Sequence, residues 1–328
     1  MPNEVLIHLS KTDFTGGDVV AGELELKIDT AIPVRGARLL FHGYEQSYWG
    51  GGIGRIRSSG TGRIRGTHSE TRDLFREELT LFGEPPLEAA ALISDSFAGL
   101  FSSGHYQTLE PGGYRYPFSF TLPENLPGDY EDSASRSKIR YLLKGYLDIP
   151  LKIDIEQTLP LTIHEAYDQS AVRPVSASTE KSLFEAGTSV KISAALDKDT
   201  FLPGEHVDCR LVVENQSGKA VQAVVVNLQK TESLRARSES TTNIETVHSS
   251  RFERQVPTGE SAELDLKFTL PSSLYPTIVS SELVKVEYRL VFALEIPWAS
   301  GLDIPWAMDL DVELPILIRE EPESPGGR

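Results

Sequence analysis

The amino-acid sequence predicts an all-β protein built as two tandem antiparallel β-sandwiches. Three observations lead to this class: short segments that alternate apolar and polar residues, Pro- and Gly-containing turns between them, and a return of the same pattern in the second half of the chain. Alternation with a period of two is typical of strands that pack one face on a core and expose the other to water. Many short strands of this kind, separated by turns, favour β-sandwiches.

The repeat identifies the two modules. Residues 14–26 return as residues 201–213, at an offset of 201 − 14 = 187. Residues 120–123 and 139–150 return as residues 268–271 and 286–297. Each copy opens with a glycine followed by an acidic residue, Gly17-Asp18 and Gly204-Glu205, which is a turn signal directly before a strand. The 328 residues are therefore predicted to form two copies of one module.

The module boundaries follow from where the alternation is lost. We predict the first sandwich over residues 1–165 and the second over residues 182–319. Residues 166–181 are rich in small polar side chains and are predicted to be a linker, and the polar, proline-containing residues 320–328 are predicted to be a disordered tail. Residues 151–156 alternate again and predict a half-buried strand.

Composition excludes several classes of function. A formal net charge of −16 argues against general nucleic-acid binding, which needs a basic face. The single cysteine, Cys209, is predicted to be buried and unreactive, and it rules out an internal disulfide. The seven histidines lack metal-ligand spacing, and catalytic or nucleotide-binding motifs are missing, so we expect no metal, no cofactor and no enzyme activity. Without a membrane-length apolar segment or a signal sequence, a cytoplasmic location is expected.

The two copies differ most in the first module. The offset falls from 187 to 148 between the two repeated blocks, so this module carries 187 − 148 = 39 extra residues. Part of the insertion is residues 86–101, where Leu87 and Ala91 have helical spacing and predict one short helix. Another part is the Gly-rich segment of residues 49–66, with four arginines that are candidate contacts to an anionic partner: Arg55, Arg57, Arg63 and Arg65. The alternative is a solvated loop that binds nothing.

A second difference lies near the end of the second module. The offset rises from 147 to 155, so this module carries 155 − 147 = 8 extra residues. They include Trp298 and Trp306, which are candidate contacts to a membrane edge because tryptophan favours the bilayer interface. Two rings that cap the open end of the sandwich core are the alternative interpretation.

The order and spacing of these motifs resemble the arrestin family, and in detail its α-arrestin (arrestin-domain-containing) branch. The likeness rests on the Gly17-Asp18 turn, on residues 113–127 followed by Ile139-Arg140-Tyr141, and on the corresponding residues of the second copy. It implies two immunoglobulin-like sandwiches of the arrestin fold. It also implies a non-enzymatic scaffold that binds a protein partner, such as the cytoplasmic part of a membrane protein, in trafficking or signalling, with peripheral membrane contact.

The resemblance places some residues in known regions of the family. The arginine loop is similar to the finger loop that meets receptors, the tryptophan loop to the membrane-facing tip of the second domain, and Lys11 to a phosphate-sensing position. The chain has no Pro-Pro-X-Tyr motif, so a ubiquitin-ligase adaptor role is not expected. A regulatory or structural module without receptor partners, of the bacterial arrestin-like, sporulation-control or retromer-subunit kind, stays open as the alternative.

Overall fold

The computed structural model describes residues 2–50, 67–83, 106–132, 135–167, 172–182, 188–296 and 310–320. The chain divides into two compact units, Met1–Ala166 and Tyr167–Arg328. Within the described ranges the regular elements are all β-strands, which confirms the predicted all-β class. The helix predicted over residues 86–101 and most of the predicted tail lie outside the described residues.

The strands of the first unit form two main sheets. One has the order β1-β3-β8, and the other has the order β2-β11-β10-β5-β6, with β9 beside β10 and a separate short pair β4-β7. Pairing is antiparallel except between β2 and β11. The bounds are β1 Glu4–Leu9, β2 Asp13–Thr15, β3 Val19–Ile28, β4 Ile32–Val34, β5 Gly36–Trp49, β6 His68–Gly83, β7 Gln107–Leu109, β8 Gly112–Thr121, β9 Tyr130–Glu131, β10 Lys138–Asp148 and β11 Ile155–His164.

The second unit repeats this arrangement. Its sheets have the orders β12-β13-β15-β18 and β14-β20-β19-β16-β17, and the β14–β20 pair is parallel, as β2–β11 is in the first unit. The bounds are β12 Val175–Ser182, β13 Ser189–Leu196, β14 Thr200–Phe201, β15 His206–Asn215, β16 Val221–Ala236, β17 Glu239–Val256, β18 Glu260–Thr269, β19 Val284–Glu295 and β20 Asp311–Ile318.

The alternating strands pack as their sequences predict. In β3, Leu24, Leu26 and Ile28 are buried, while the charged residues between them face solvent. The two sheets approach closely enough that a Cβ added at Gly145 of β10 would lie 2.5 Å from Cδ1 of Leu24. The apolar faces of the sheets therefore form one core between them, and a glycine is needed where they come closest.

The strand predicted over residues 151–156 is wrong, because β11 begins only at Ile155. Leu151 has a left-handed backbone (φ 57°), and its side chain and that of Ile153 are fully exposed. Pro150 has no N–H to donate to a ladder, and the Ile149 N–H donates to Oδ1 of Asp154 (3.0 Å) instead. Residues 149–154 are thus a turn that joins β10 to β11, although their sequence alternates.

The linker predicted over residues 166–181 also needs correction. Strand β12 (Val175–Ser182) occupies its second half and pairs with β13 from Val175 opposite Leu196 to Ser182 opposite Ser189. It is an edge strand, held by backbone hydrogen bonds that do not depend on the side chains. The apolar periodicity used to predict strands is therefore weak there, and the segment resembles a linker in sequence.

The same glycine turn crosses between the two sheets in each unit. Gly17 and Gly204 both have positive φ angles, 87° and 79°, which glycine adopts without a steric cost. Gly17 N donates to Pro123 O (3.2 Å), and Gly204 N donates to Pro271 O (3.1 Å). Each turn therefore ties the strand before it to the chain that leaves the opposite sheet.

An acidic side chain closes each of these turns, together with a lysine and a phenylalanine. Asp18 Oδ2 accepts from Thr15 N (3.0 Å) and from Lys11 Nζ (2.8 Å), and Lys11 Nζ lies 4.8 Å from the Phe14 ring centre. In the second unit Glu205, Leu202 N, Lys198 and Phe201 make the same contacts. Burial raises the pKa of Asp18, but the hydrogen bonds from Lys11 and Thr15 outweigh it and hold that pKa below its usual value.

A buried tyrosine joins β10 to the loop after β8. The Tyr141 hydroxyl donates to Pro127 O (2.7 Å), and its ring covers Gly43, where an added Cβ would lie 2.6 Å from the ring. Burial raises the pKa of Tyr141. Tyr288 is the equivalent of Tyr141 in the second unit; it is buried as well, and burial raises its pKa. A buried tyrosine at this position is a second feature that both units share.

Tyr141→Phe should lower the free energy of unfolding of the first unit by about 1 kcal/mol, because Pro127 O loses its buried donor. Trp49 is the single tryptophan of residues 1–166, so its fluorescence in a W298F/W306F background reports urea unfolding of this unit alone. The control is Tyr106→Phe, at a tyrosine 59% exposed. An unchanged unfolding midpoint for Y141F would contradict the role of this hydrogen bond.

Asp18→Asn should lower the unfolding free energy by about 1 kcal/mol at about pH 7. Because the folded-state pKa of Asp18 is depressed, its stabilisation is present above the unfolded value of 3.8 and is lost as pH falls through the folded value. The difference between D18N and wild type should therefore shrink at about pH 3. The same Trp49 assay measures it, with Glu110→Gln at an exposed carboxylate as control. A difference that is independent of pH would refute the charge-based explanation.

Candidate functional site

The arginine-rich loop is carried by the hairpin of β5 and β6. Strand β5 ends at Trp49 and β6 begins at His68, and these two residues are paired in the ladder. Their rings stack, with centres 5.2 Å apart and planes 13° from parallel. The four predicted contact residues, Arg55, Arg57, Arg63 and Arg65, belong to the connection and lie outside the described residues. The structure thus defines the base from which this loop starts and to which it returns.

Two cations lie over tyrosine rings beside this base. Tyr44 and Tyr48 are outward-facing residues of β5. Lys138 Nζ lies 5.7 Å from the Tyr44 ring centre, and the Arg136 guanidinium lies 5.5 Å from that of Tyr48. We call Tyr44, Tyr48, Arg136 and Lys138 the aromatic–cation cluster. Cations held over aromatic faces are attracted by the ring quadrupole and keep N–H groups for other partners.

Hydrogen bonds of Ser137 and of the Arg136 backbone fix the chain that carries the two cations. The fully buried Ser137 hydroxyl contacts Tyr48 N (3.1 Å) and Tyr48 O (3.3 Å), which fixes the start of β10 against the end of β5. Arg136 N donates to Asp132 O (2.8 Å), and Arg136 has a left-handed backbone (φ 60°). The backbone of Arg136 is therefore fixed by a tight turn, from which its side chain extends over Tyr48.

Some cationic side chains near the cluster pair with carboxylates, and among the described residues the two cations of the cluster itself do not. Arg140 pairs with Glu131, and His42 pairs with Asp73 (2.8 Å). In the part of the chain that the structure describes, no carboxylate forms an ion pair with Arg136 or Lys138. In a chain with a net charge of −16, Arg136 and Lys138 are two cations without a described carboxylate partner, on the sheet whose strands β5 and β6 carry the connection with the four arginines.

This arrangement suits the binding of anionic groups. Guanidinium groups bind carboxylates and phosphates in a bidentate manner, and the tyrosine rings offer a flat apolar surface next to them. Sequence reasoning missed the cluster because Arg136, in a turn, and Lys138, at the start of β10, are far along the sequence from residues 55–65. The available signal was the pair Tyr44 and Tyr48, which are aromatic at the solvent-facing positions of an alternating strand.

Other residues singled out from the sequence lie apart from this cluster. Lys11 forms an ion pair with Asp18 and lies over the Phe14 ring. Lys198 makes the same contacts in the second unit, which indicates a structural role. Cys209 is buried, as predicted, and burial raises its thiol pKa to about 12, so it is not a nucleophile at neutral pH. Trp298 and Trp306, between β19 and β20, lie outside the described residues.

Among the described residues, no group of three or more His, Cys, Asp or Glu side chains is placed to hold a metal ion. None of the described segments is a helix long and apolar enough to cross a membrane.

Comparison with known proteins matches both halves of the chain. The model of the arrestin (or S-antigen) N-terminal domain matches residues 5–170, and that of the arrestin C-terminal domain matches residues 187–323. Arrestin domain-containing protein A of Dictyostelium discoideum is 24% identical over 309 residues, which is 90% of this chain and 49% of the relative.

Two mammalian relatives match along more of their own length. Arrestin domain-containing protein 4 of Mus musculus is 24% identical over 97% of this chain and 71% of the relative. Thioredoxin-interacting protein of Rattus norvegicus is 22% identical over 90% of this chain and 69% of the relative. The chain spans half or less of the Dictyostelium relatives. Because the two arrestin domain models match the two sandwiches in succession, the chain belongs to the arrestin family, and its relatives include arrestin domain-containing proteins.

Proposed function

We propose that this chain is a non-enzymatic adaptor that binds an acidic or phosphorylated segment of a protein partner at the arginine loop and the aromatic–cation cluster. The observation that carries the proposal is the pair Arg136 and Lys138, held over tyrosine rings without a described carboxylate partner at the base of that loop. Membership of the arrestin family supports the adaptor role. The partner class that fits is the cytoplasmic part of a membrane protein, bound in trafficking or signalling.

The division of labour within the site follows from its chemistry. The cluster supplies two cations on backbone that is fixed by a turn and by β10, and the loop supplies four more arginines. An anionic chain laid across β5 would meet the tyrosine rings with its apolar parts and the cations with its charges. Such a contact depends on electrostatics and should weaken as salt concentration rises.

The location that fits this role is the cytoplasm with peripheral attachment to membranes. Contact of Trp298 and Trp306 with the bilayer interface would bring the adaptor close to the tail of a membrane protein. This part of the proposal rests on the residue types and on their position between β19 and β20.

Replacing the four loop arginines by alanine should weaken binding of an acidic phosphoserine peptide at least tenfold, because most of the positive charge of the site is lost. Fluorescence anisotropy of the labelled peptide measures this at low and high salt. The matched control removes four arginines from the second unit: R210A, R237A, R251A and R254A. Equal losses in both quadruple variants would show an effect of net charge alone, and unchanged binding in the loop variant would refute the proposal.

The double variant R136A/K138A should weaken the same peptide about fivefold to tenfold while leaving thermal unfolding unchanged, since neither side chain is buried in the core. R136K/K138R keeps the charges and should restore most of the binding. The control is Lys144→Ala, since Lys144 also lies over a tyrosine, Tyr146, on this sheet but is paired with Glu156. If K144A weakens binding as much as the double variant does, the cluster has no special role.

A further inference from the structure

The turn between β10 and β11 exposes two aliphatic side chains to an unusual degree. Leu151 is 101% exposed and Ile153 is 92% exposed, whereas no other large apolar side chain in the described residues exceeds 59%. Both lie at the tip of a hairpin connection, with Lys152 between them. These two apolar side chains therefore lie in water and contribute nothing to the packing of the sandwich core.

The turn is held in this conformation by specific hydrogen bonds. Asp154 Oδ1 accepts from Ile149 N (3.0 Å), which closes the turn across its base. Asp148 pairs with Arg38 (2.8 Å) and Arg35 (3.2 Å) where the turn leaves β10. Leu151 is kept in the left-handed region, which a branched residue adopts only at an energetic cost. The outward direction of the two side chains is therefore built into the fold.

The local charges suit a surface of lipid headgroups. The two carboxylates next to the turn, Asp148 and Asp154, are occupied by arginines and by a backbone N–H. Lys152 is exposed, and no described carboxylate pairs with it. Two aliphatic side chains flanking one lysine can place apolar atoms below the headgroups and the ammonium group at the phosphates.

The small size of the tip favours a bilayer over a protein partner. A specific protein interface buries roughly 800 Å² on each side, far more than two side chains of a convex turn offer. A bilayer needs no complementary pocket. The equivalent connection of the second unit, between β19 and β20, also begins with Ile-Pro and carries Trp298 and Trp306. Apolar residues therefore occur at the same hairpin connection in both copies.

We propose that the turn formed by residues 149–154 is a membrane-contact site of the first unit, in which Leu151 and Ile153 insert into the bilayer interface and Lys152 binds lipid phosphates. The site is separate from the aromatic–cation cluster, because Lys138 begins strand β10 and the turn follows Asp148 at the other end of that strand. Variants in the turn should leave peptide binding unchanged, so the two proposals can fail independently.

A fluorescent probe on this turn tests the insertion directly. The natural cysteine, Cys209, is buried with a raised pKa, so I153C can be labelled selectively with an environment-sensitive dye. Adding phosphatidylcholine vesicles that contain phosphatidylserine should shift the emission to the blue. The same label at I244C, a 56% exposed position of β17, should not respond.

Three outcomes of this experiment would overturn the proposal. One is no spectral change for I153C on addition of vesicles. Another is an emission that is already blue-shifted in buffer and does not change with lipid, which would mean that another segment of the chain covers the tip. The third is a shift that depends on protein concentration without lipid, which would indicate pairing of two copies.

Vesicle sedimentation tests the energetic contribution. L151N/I153S should lower the partition coefficient at least tenfold, because two aliphatic side chains no longer leave water, and asparagine tolerates the left-handed backbone at position 151. Lys152→Ala should lower it about fivefold on vesicles with phosphatidylserine and not on phosphatidylcholine alone. I244S is the matched control. If W298S/W306S abolishes binding while L151N/I153S binds like wild type, the turn makes no contact and the proposal fails.

Discussion

The sandwich of each unit depends on a glycine turn that takes the chain from one sheet to the other. The strand before the turn, β2 or β14, belongs to the larger sheet, and the strand after it, β3 or β15, belongs to the smaller one. Gly17 and Gly204 supply the left-handed backbone, and the following acid accepts the N–H groups that the turn leaves open. Because Pro123 and Pro271 also accept from these glycines, the turn sets the position of both sheets at once.

The fold was largely predictable because its strands alternate and its turns are repeated. Leu24, Leu26 and Ile28 are buried as their spacing predicts, and the class is confirmed. Both errors arise where apolar alternation in the sequence and backbone pairing of strands do not coincide. At residues 151–154 the alternation is present without a strand, since Pro150 and a left-handed Leu151 end the ladder. In β12 a strand is present without apolar alternation, since an edge strand is held by backbone bonds.

The site was less predictable because its residues come together only in three dimensions. The four loop arginines were found from composition, and they remain a prediction. Arg136 and Lys138 could not be connected to them from the sequence, because the contact depends on β5 pairing with β10 in one particular register. Lys11 shows the opposite problem. It looked like a candidate anion contact, but its partners Asp18 and Phe14 are repeated at Glu205 and Phe201, and this repetition marks it as structural.

The shared constraints explain why the two units can differ at their hairpin connections. The hydrogen bonds of the glycine turns and the buried side chains of Tyr141 and Tyr288 lie away from the β5–β6 and β10–β11 connections. A connection can therefore lengthen or change composition at a small entropic cost without shifting a strand. The second unit closes β16 to β17 with a tight turn at Arg237, where the first unit has the arginine loop. The scaffold is thus stabilised at repeated positions, and new binding surfaces arise where the repeat is interrupted.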